Sequence, residues 1–175
     1  MKTILITALF LFSFSSFAKV DCSTHPIYCQ IVKNKPKINK KYAMKLSNII
    51  YKMHRKYHIP SRIFTAILRQ ESEYSLKAKG KKCGVTAEFE KKCVYTDFGI
   101  SQIHWKTVEL WKFDNERLTT DLEYSVEAGA KVLADIMERF EARDNNWWLR
   151  YNCGFGGTTK RDTCQIYKKF VERYL

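Results

Sequence analysis

Apolar side chains recur at helical spacing from residue 41 onward. Tyr42, Leu46, Ile49, Ile50, Met53 and Tyr57 share one face of a 3.6-residue period, which predicts an amphipathic helix. Pro60 breaks that pattern and suits the first turn of a second helix over 61–74. There Ile63 and Ile67 lie one turn apart, the next position on their line is Glu71, and Phe64 and Leu68 run beside it. The helical period is lost over 77–95, where a short hairpin tied by Cys83 and Cys93 is expected. It returns as a short helix over 106–113 and a long one over 121–142. The long helix carries Leu122, Val126, Gly129, Leu133, Ile136, Met137 and Phe140 on one side. A helical turn over 147–151 and a closing helix over 164–174, striped by Tyr167, Phe170, Val171 and Tyr174, complete the pattern. No repeat or low-complexity tract appears. The expectation is one mainly helical domain with a cystine-tied β excursion, the apolar stripes forming its core.

Two features before residue 41 change the picture. Residues 1–18 combine Lys2, an apolar run from Ile4 to Phe14, and small residues Ser16 and Ala18 before Lys19, the pattern of a cleavable secretory signal peptide. That run is too short for a bilayer-spanning helix, and no other segment is long and apolar enough for one. Residues 19–40, rich in Lys and containing Pro26 and Pro36, read as a basic arm ahead of a domain over 41–175. Beyond the signal stand six cysteines: Cys22, Cys29, Cys83, Cys93, Cys153 and Cys164. An even number in an exported chain points to disulfides and a periplasmic or extracellular location. Fifteen full pairings are possible for six cysteines. The three local pairs 22–29, 83–93 and 153–164 are the expected set. No CxxC occurs, and His54 and His58, four residues apart, have no evident third ligand, so no metal is expected.

The net charge is +13, and loss of residues 1–18 removes only Lys2. A surface so basic favours an anionic partner. Export and the scattered placement of the lysines weigh against nucleic acid, leaving an anionic membrane surface or a cell-wall polymer.

Three stretches carry candidate chemistry. Glu71 continues a line of core residues. A surface glutamate often ends such a stripe, but a carboxyl in a partly apolar pocket has a raised pKa and can serve as general acid. Cleavage of a glycosidic bond needs such a donor on the leaving oxygen. In YTDFGISQIHW (95–105), Gly99 suggests a bend, Gln102 is a polar residue between two isoleucines, and Asp97 precedes the bend as a turn residue or a second carboxylate. In YNCG (151–154), Tyr151 and Asn152 either hold a carboxyl by hydrogen bonds or close a helix end. Trp105 is the tryptophan nearest these motifs; Trp111, Trp147 and Trp148 are more simply core.

In their order along the chain these stretches resemble the SLT-type lytic transglycosylase catalytic domain, a lysozyme-like α+β fold with helices flanking a sugar groove. The family's Glu-Ser, Gly-Leu-Met-Gln, inner helical Gly, Tyr-Asn-Ala-Gly and closing aromatic helix are matched by Glu71-Ser72, Gly99-Ile100-Ser101-Gln102, Gly129, Tyr151-Asn152-Cys153-Gly154 and YKKFVERYL. The likeness covers about residues 41–175. It departs from the family where Ser101 replaces Met and Cys153 replaces Ala. It implies that Glu71 is the general acid and then the base, that Tyr151, with Asn152, supports it, and that Gln102 and the backbone from Gly99 to Ser101 line the sugar groove. Ser72, Asn152 and, by its nearness to the motif, Trp105 are the further candidate sugar contacts. The implied substrate is the β-1,4 bond between N-acetylmuramic acid and N-acetylglucosamine in peptidoglycan glycan strands. No cofactor, no nucleic acid and no stable membrane insertion are implied, and a monomer is the default. TDFGISQI is also similar to the Thr-Asp-Tyr-Gly-Ile-Leu-Gln-Ile segment of animal-type lysozymes, which carries their second carboxylate. With Glu71 alone, the sugar's own 6-hydroxyl is expected to attack and leave a 1,6-anhydro end. With Asp97 about 5–5.5 Å away a retaining hydrolase is expected, and at about 6.5–9.5 Å an inverting one. A wall-binding or secretion-accessory module that no longer cuts is a third reading.

Overall fold

A computed structural model of the chain describes residues 20–85, 91–154 and 162–175, with the side chains at 83–85 and 91–93 outside the description. The expected signal peptide over 1–18 lies outside the described residues.

The helices follow the apolar stripes closely. Helix α2 (Lys40–Tyr57) is capped by Asn39, whose side chain accepts the Tyr42 N–H at 3.0 Å, and buries Leu46, Ile50 and Met53 completely. It ends at His58 in the left-handed region. His54 is engaged locally, with Nδ1 2.7 Å from the Ile59 carbonyl, rather than paired with His58. Pro60 caps helix α3 (Ser61–Ser72), one position earlier than first-turn placement would put it. The helix also stops short of residue 74, because Glu73 and Tyr74 both adopt positive φ and turn the chain away.

One segment differs in kind from its expectation. The basic arm contains helix α1 (Pro26–Asn34), with Pro26 at its first turn. Ile27, Tyr28 and Ile31 are buried in the main core, and α1 packs on α2 and α3. A helix only nine residues long shows about two and a half turns of pattern, and the lysines at and beyond its end, Lys33, Lys35 and Lys37, make the segment read as a polar arm.

The hairpin forms between β1 (Lys79–Val85) and β2 (Lys91–Phe98), and β2 continues to the short β3 (Ile103–His104) in a three-stranded antiparallel sheet. The backbones of Cys83 and Cys93 are register partners; their expected disulfide falls on side chains outside the described residues. Helix α4 (Trp105–Trp111) and the short α5 (Arg117–Thr120) lead to the long α6 (Leu122–Phe140), capped by Asp121. The turn at Trp147–Leu149, α7 (Arg150–Cys153) and α8 (Asp162–Glu172) close the chain. Trp147 and Trp148 are core residues, 5% exposed each. Disulfides join Cys22 to Cys29 and Cys153 to Cys164, which fits an oxidising compartment. No described helix is long and apolar enough to cross a membrane.

The core has two parts. The larger gathers α1, α2, α3, α6 and α8; the smaller, of Phe98, Ile103, Leu118 and Ala128, lies beneath the sheet. Between them runs the turn at 99–102, and that turn shapes the site.

Candidate active site

The 99–102 turn is held from three sides. Gly99 has φ +75°, and a Cβ there would sit 2.1 Å from the Leu118 carbonyl oxygen, so no other residue fits the conformation or the space. The Ile100 N–H donates to Ser125 Oγ at 3.2 Å, and Ser101 Oγ donates to the Ser125 carbonyl at 3.1 Å, both on α6. From α3, Ser72 Oγ donates to the Ile100 carbonyl at 2.7 Å. Gly129 on α6 admits this close approach, since a Cβ there would lie 2.2 Å from Ser101 Oγ. Gln102 follows at φ +46°, an unfavourable region for a side chain, and its Nε2 donates back to the Gly99 carbonyl at 2.8 Å. The turn therefore exits with Gln102 facing an open cleft.

That cleft encloses about 320 Å³. Of the expected site residues, Glu71, Asp97, Gln102, Tyr151 and Asn152 line it together. Ser72, Gly99 and Ser101 do not; they build the wall behind it, and Ser101 is fully buried. Trp105 also stands outside the lining. It is 39% exposed, and its ring lies against His104, with 5.8 Å between centroids.

Glu71 sits on the last turn of α3, above fully buried Ile67 and Leu68. Its surroundings push the carboxyl from 4.5 up to about 7, chiefly through burial of the charged form. A hydrogen bond from Tyr167 Oη to Oε1, 2.6 Å long, acts in the opposite direction, and the nearby charge of Asp97 raises the value further. Both flanking phenols, Tyr151 and Tyr167, are raised well above 10 by burial and by the Glu71 charge, so they remain neutral donors. Tyr151 Oη donates to the Ser101 carbonyl at 2.8 Å, tying α7 to the turn.

Asp97 reaches the cleft from β2 through a register irregularity. Gly80 faces Asp97 and Lys81 faces Tyr95, which leaves Thr96 without a partner on β1. Such a bulge re-aims side chains, and here Thr96 Oγ1 donates to Asp97 Oδ2 at 2.7 Å. Gly80 makes the room, since a Cβ on it would meet that oxygen at 2.6 Å. Across the sheet, Asp97 pairs with His104, which also lines the cleft. His104 Nδ1 accepts the Lys106 N–H at 3.3 Å and caps α4.

Sequence reasoning missed two of these residues as site members. Tyr167 belongs to the core stripe of the closing helix, and it is buried there. The available signal was its hydroxyl: a buried phenol needs a hydrogen-bond partner, and Glu71 was the one acid on another core line. His104 was hidden because strand pairing alone brings it opposite Asp97.

A neutral carboxyl, a second carboxylate, amide groups and neutral phenols around one cleft suit acid-catalysed cleavage of a polar, uncharged linkage. Comparison with known proteins agrees: the family model described as the transglycosylase SLT domain matches residues 48–169. No curated protein and no solved structure matches the chain.

Proposed function

We propose how this chain, which belongs to the transglycosylase SLT family of peptidoglycan glycosidases, carries out its reaction: Glu71 cleaves the β-1,4 bond between N-acetylmuramic acid and N-acetylglucosamine. The observation that carries this assignment is Glu71's carboxyl on the cleft wall, held to about 7 by burial. In the first step it gives its proton to the glycosidic oxygen as the C1–O bond breaks. Positive charge develops at C1, and the departing sugar leaves as a neutral alcohol. In the second step the muramic acid's 6-hydroxyl attacks C1. The Glu71 carboxylate takes the hydroxyl proton, which restores the acid and leaves a 1,6-anhydro end. Tyr167 fixes the orientation of the Glu71 carboxyl, and Tyr151 fixes the turn behind it. Gln102 and Asn152 bind the sugar, with Ser72, Gly99 and Ser101 shaping the wall and Trp105 standing at the rim.

A second reading rests on Asp97, which lines the same cleft and is close enough for its charge to act on Glu71. In that reading Asp97 takes part in hydrolysis, and the product has a reducing end. In both, residues 1–18 direct export, and the catalytic domain over 41–175 takes in helix α1 of the 19–40 segment as part of its core. The enzyme acts as a monomer on wall glycan without a cofactor.

The test is the purified mature chain on isolated cell wall. Glu71→Gln abolishes release of muropeptides, and mass spectrometry of wild-type products finds anhydro ends. A Glu71→Gln protein that clears wall at the wild-type rate overturns the assignment. Reducing ends that vanish with Asp97→Asn establish the second reading. Wall binding without any release by the wild type returns the chain to the non-cutting module.

A further inference from the structure

Cys153 departs from the alanine of the motif it interrupts, and the bond it makes joins the two helices that carry the tyrosines flanking Glu71. On one side, Cys153 ends α7 (Arg150–Cys153), directly after Tyr151 and Asn152, which line the cleft. On the other, Cys164 stands one turn before Tyr167 on α8, at the i, i+3 spacing that places two side chains on one face. Both are buried, Cys164 at 1% and Tyr167 at 5% exposure. The disulfide holds the two Cα atoms 5.8 Å apart. A helix as short as α7 has too few internal hydrogen bonds to hold itself in place.

We propose that the Cys153–Cys164 bond is a positioning element of the active site: it sets the spacing of the Tyr151–Asn152 helix from the Tyr167 helix, and so the Tyr167–Glu71 hydrogen bond. This rests on the reading of Glu71 as the general acid. The bond touches neither substrate nor Glu71; it acts through Tyr167. Its chemical consequence follows from the geometry. Tyr167 donates to the charged carboxylate and favours it. When α8 is released at its first turn, that donor moves away, the charged form of Glu71 loses its partner, and the protonated form persists to higher pH. The Cys22–Cys29 bond, at the start of α1, has no such link to the cleft.

The test compares Cys153→Ala/Cys164→Ala with Cys22→Ala/Cys29→Ala in the mature chain, by kcat against pH on isolated wall glycan. Without the first bond, the alkaline limb moves to higher pH. Its kcat falls roughly tenfold to a hundredfold, the scale of a misplacement near one ångström. Without the second bond, the limb stays in place. Tyr167→Phe in the disulfide-intact chain moves the limb in the same direction. Added to Cys153→Ala/Cys164→Ala it moves the limb no further, because both changes remove one interaction. This arm keeps the idea testable if the cysteine variant folds poorly, since Tyr167→Phe leaves the bond in place. A limb that stays put or moves down in Cys153→Ala/Cys164→Ala, or a further shift on adding Tyr167→Phe, overturns the inference. So does a Tyr167→Phe limb that does not move. Retained activity in Glu71→Gln instead removes the reading beneath it, so the two failures are distinct.

Discussion

At the scale of single residues, burial holds Glu71 in the protonated form that the proposed general acid needs, at a cost in stability at higher pH. The folded chain holds its proton up to about 7, whereas the unfolded chain releases it near 4.5. Between those values the native state binds more protons than the unfolded state, so stability falls as pH rises through that window. At 1.36 kcal/mol per pH unit, the loss is at most about 3 kcal/mol. Glu71→Gln has no proton to lose. It is therefore expected to be inactive yet more stable than wild type at pH 8, by up to about 3 kcal/mol, with the difference vanishing near pH 4. Urea denaturation at the two pH values checks this; equal stabilities at pH 8 would mean that burial does not hold the proton. The activity limb has the same origin: the rate falls as pH rises past 7, because the donor is then ionised. The unusual position of Glu71 was legible in its spacing from Ile63 and Ile67. The hydroxyl that meets it was not, since Tyr167 lies 96 residues away and only packing brings it there.

At the scale of elements, the stripes of α2, α3, α6 and α8 were legible because each spans three turns or more and one face stays apolar. Their ends were less so, as with α3, where two left-handed residues stop a helix whose pattern continues. The four-residue α5 carries too little period to read. Asp97 was visible as a residue, but its direction depends on the bulge at Thr96, and no local pattern announces an unpaired residue. Gly129 ties elements together. Alanine is the better helix former by about 1 kcal/mol, so on α6 alone Gly129→Ala is stabilising. In the fold its Cβ overlaps Ser101 Oγ at 2.2 Å and Ser101 Cβ at 2.6 Å, so the turn must move. The expected net effect is a destabilisation of about 1–3 kcal/mol, together with a loss of activity, since Gln102 and the Tyr151–Ser101 contact move with the turn. Thermal unfolding and wall digestion measure both. A more stable, fully active Gly129→Ala protein would show that the turn gives way without consequence for the site.

At the scale of the whole molecule, a charge of +13 on a 175-residue chain is expected to act separately from the cleft. Catalysis within the cleft depends on short contacts at a partly enclosed carboxyl. Encounter with the wall is expected to use exposed lysines such as Lys79, Lys81 and Lys82, two of which, Lys79 and Lys81, lie over the ring of Tyr95 on the hairpin. The lysines that bear the charge were legible from composition, and α1 shows where composition misled: Lys-rich sequence hid a helix that belongs to the core. The two roles separate by salt. Raising ionic strength from about 0.01 to 0.15 M shortens the screening length from about 30 to 8 Å. Surface attraction to an anionic wall fades over that range, while a contact of 2.6 Å such as Tyr167–Glu71 lies far inside it. The expectation is a fall in kcat/KM on intact anionic wall, carried by KM, with kcat unchanged. On a short, neutral glycan the same salt change leaves both constants in place. Lys79→Gln/Lys82→Gln flattens the salt dependence on wall and leaves kcat on the short glycan unaltered. A kcat that falls with salt on both substrates would place the charge effect inside the cleft, and the basic surface would then have no separate part in holding the enzyme on its polymer.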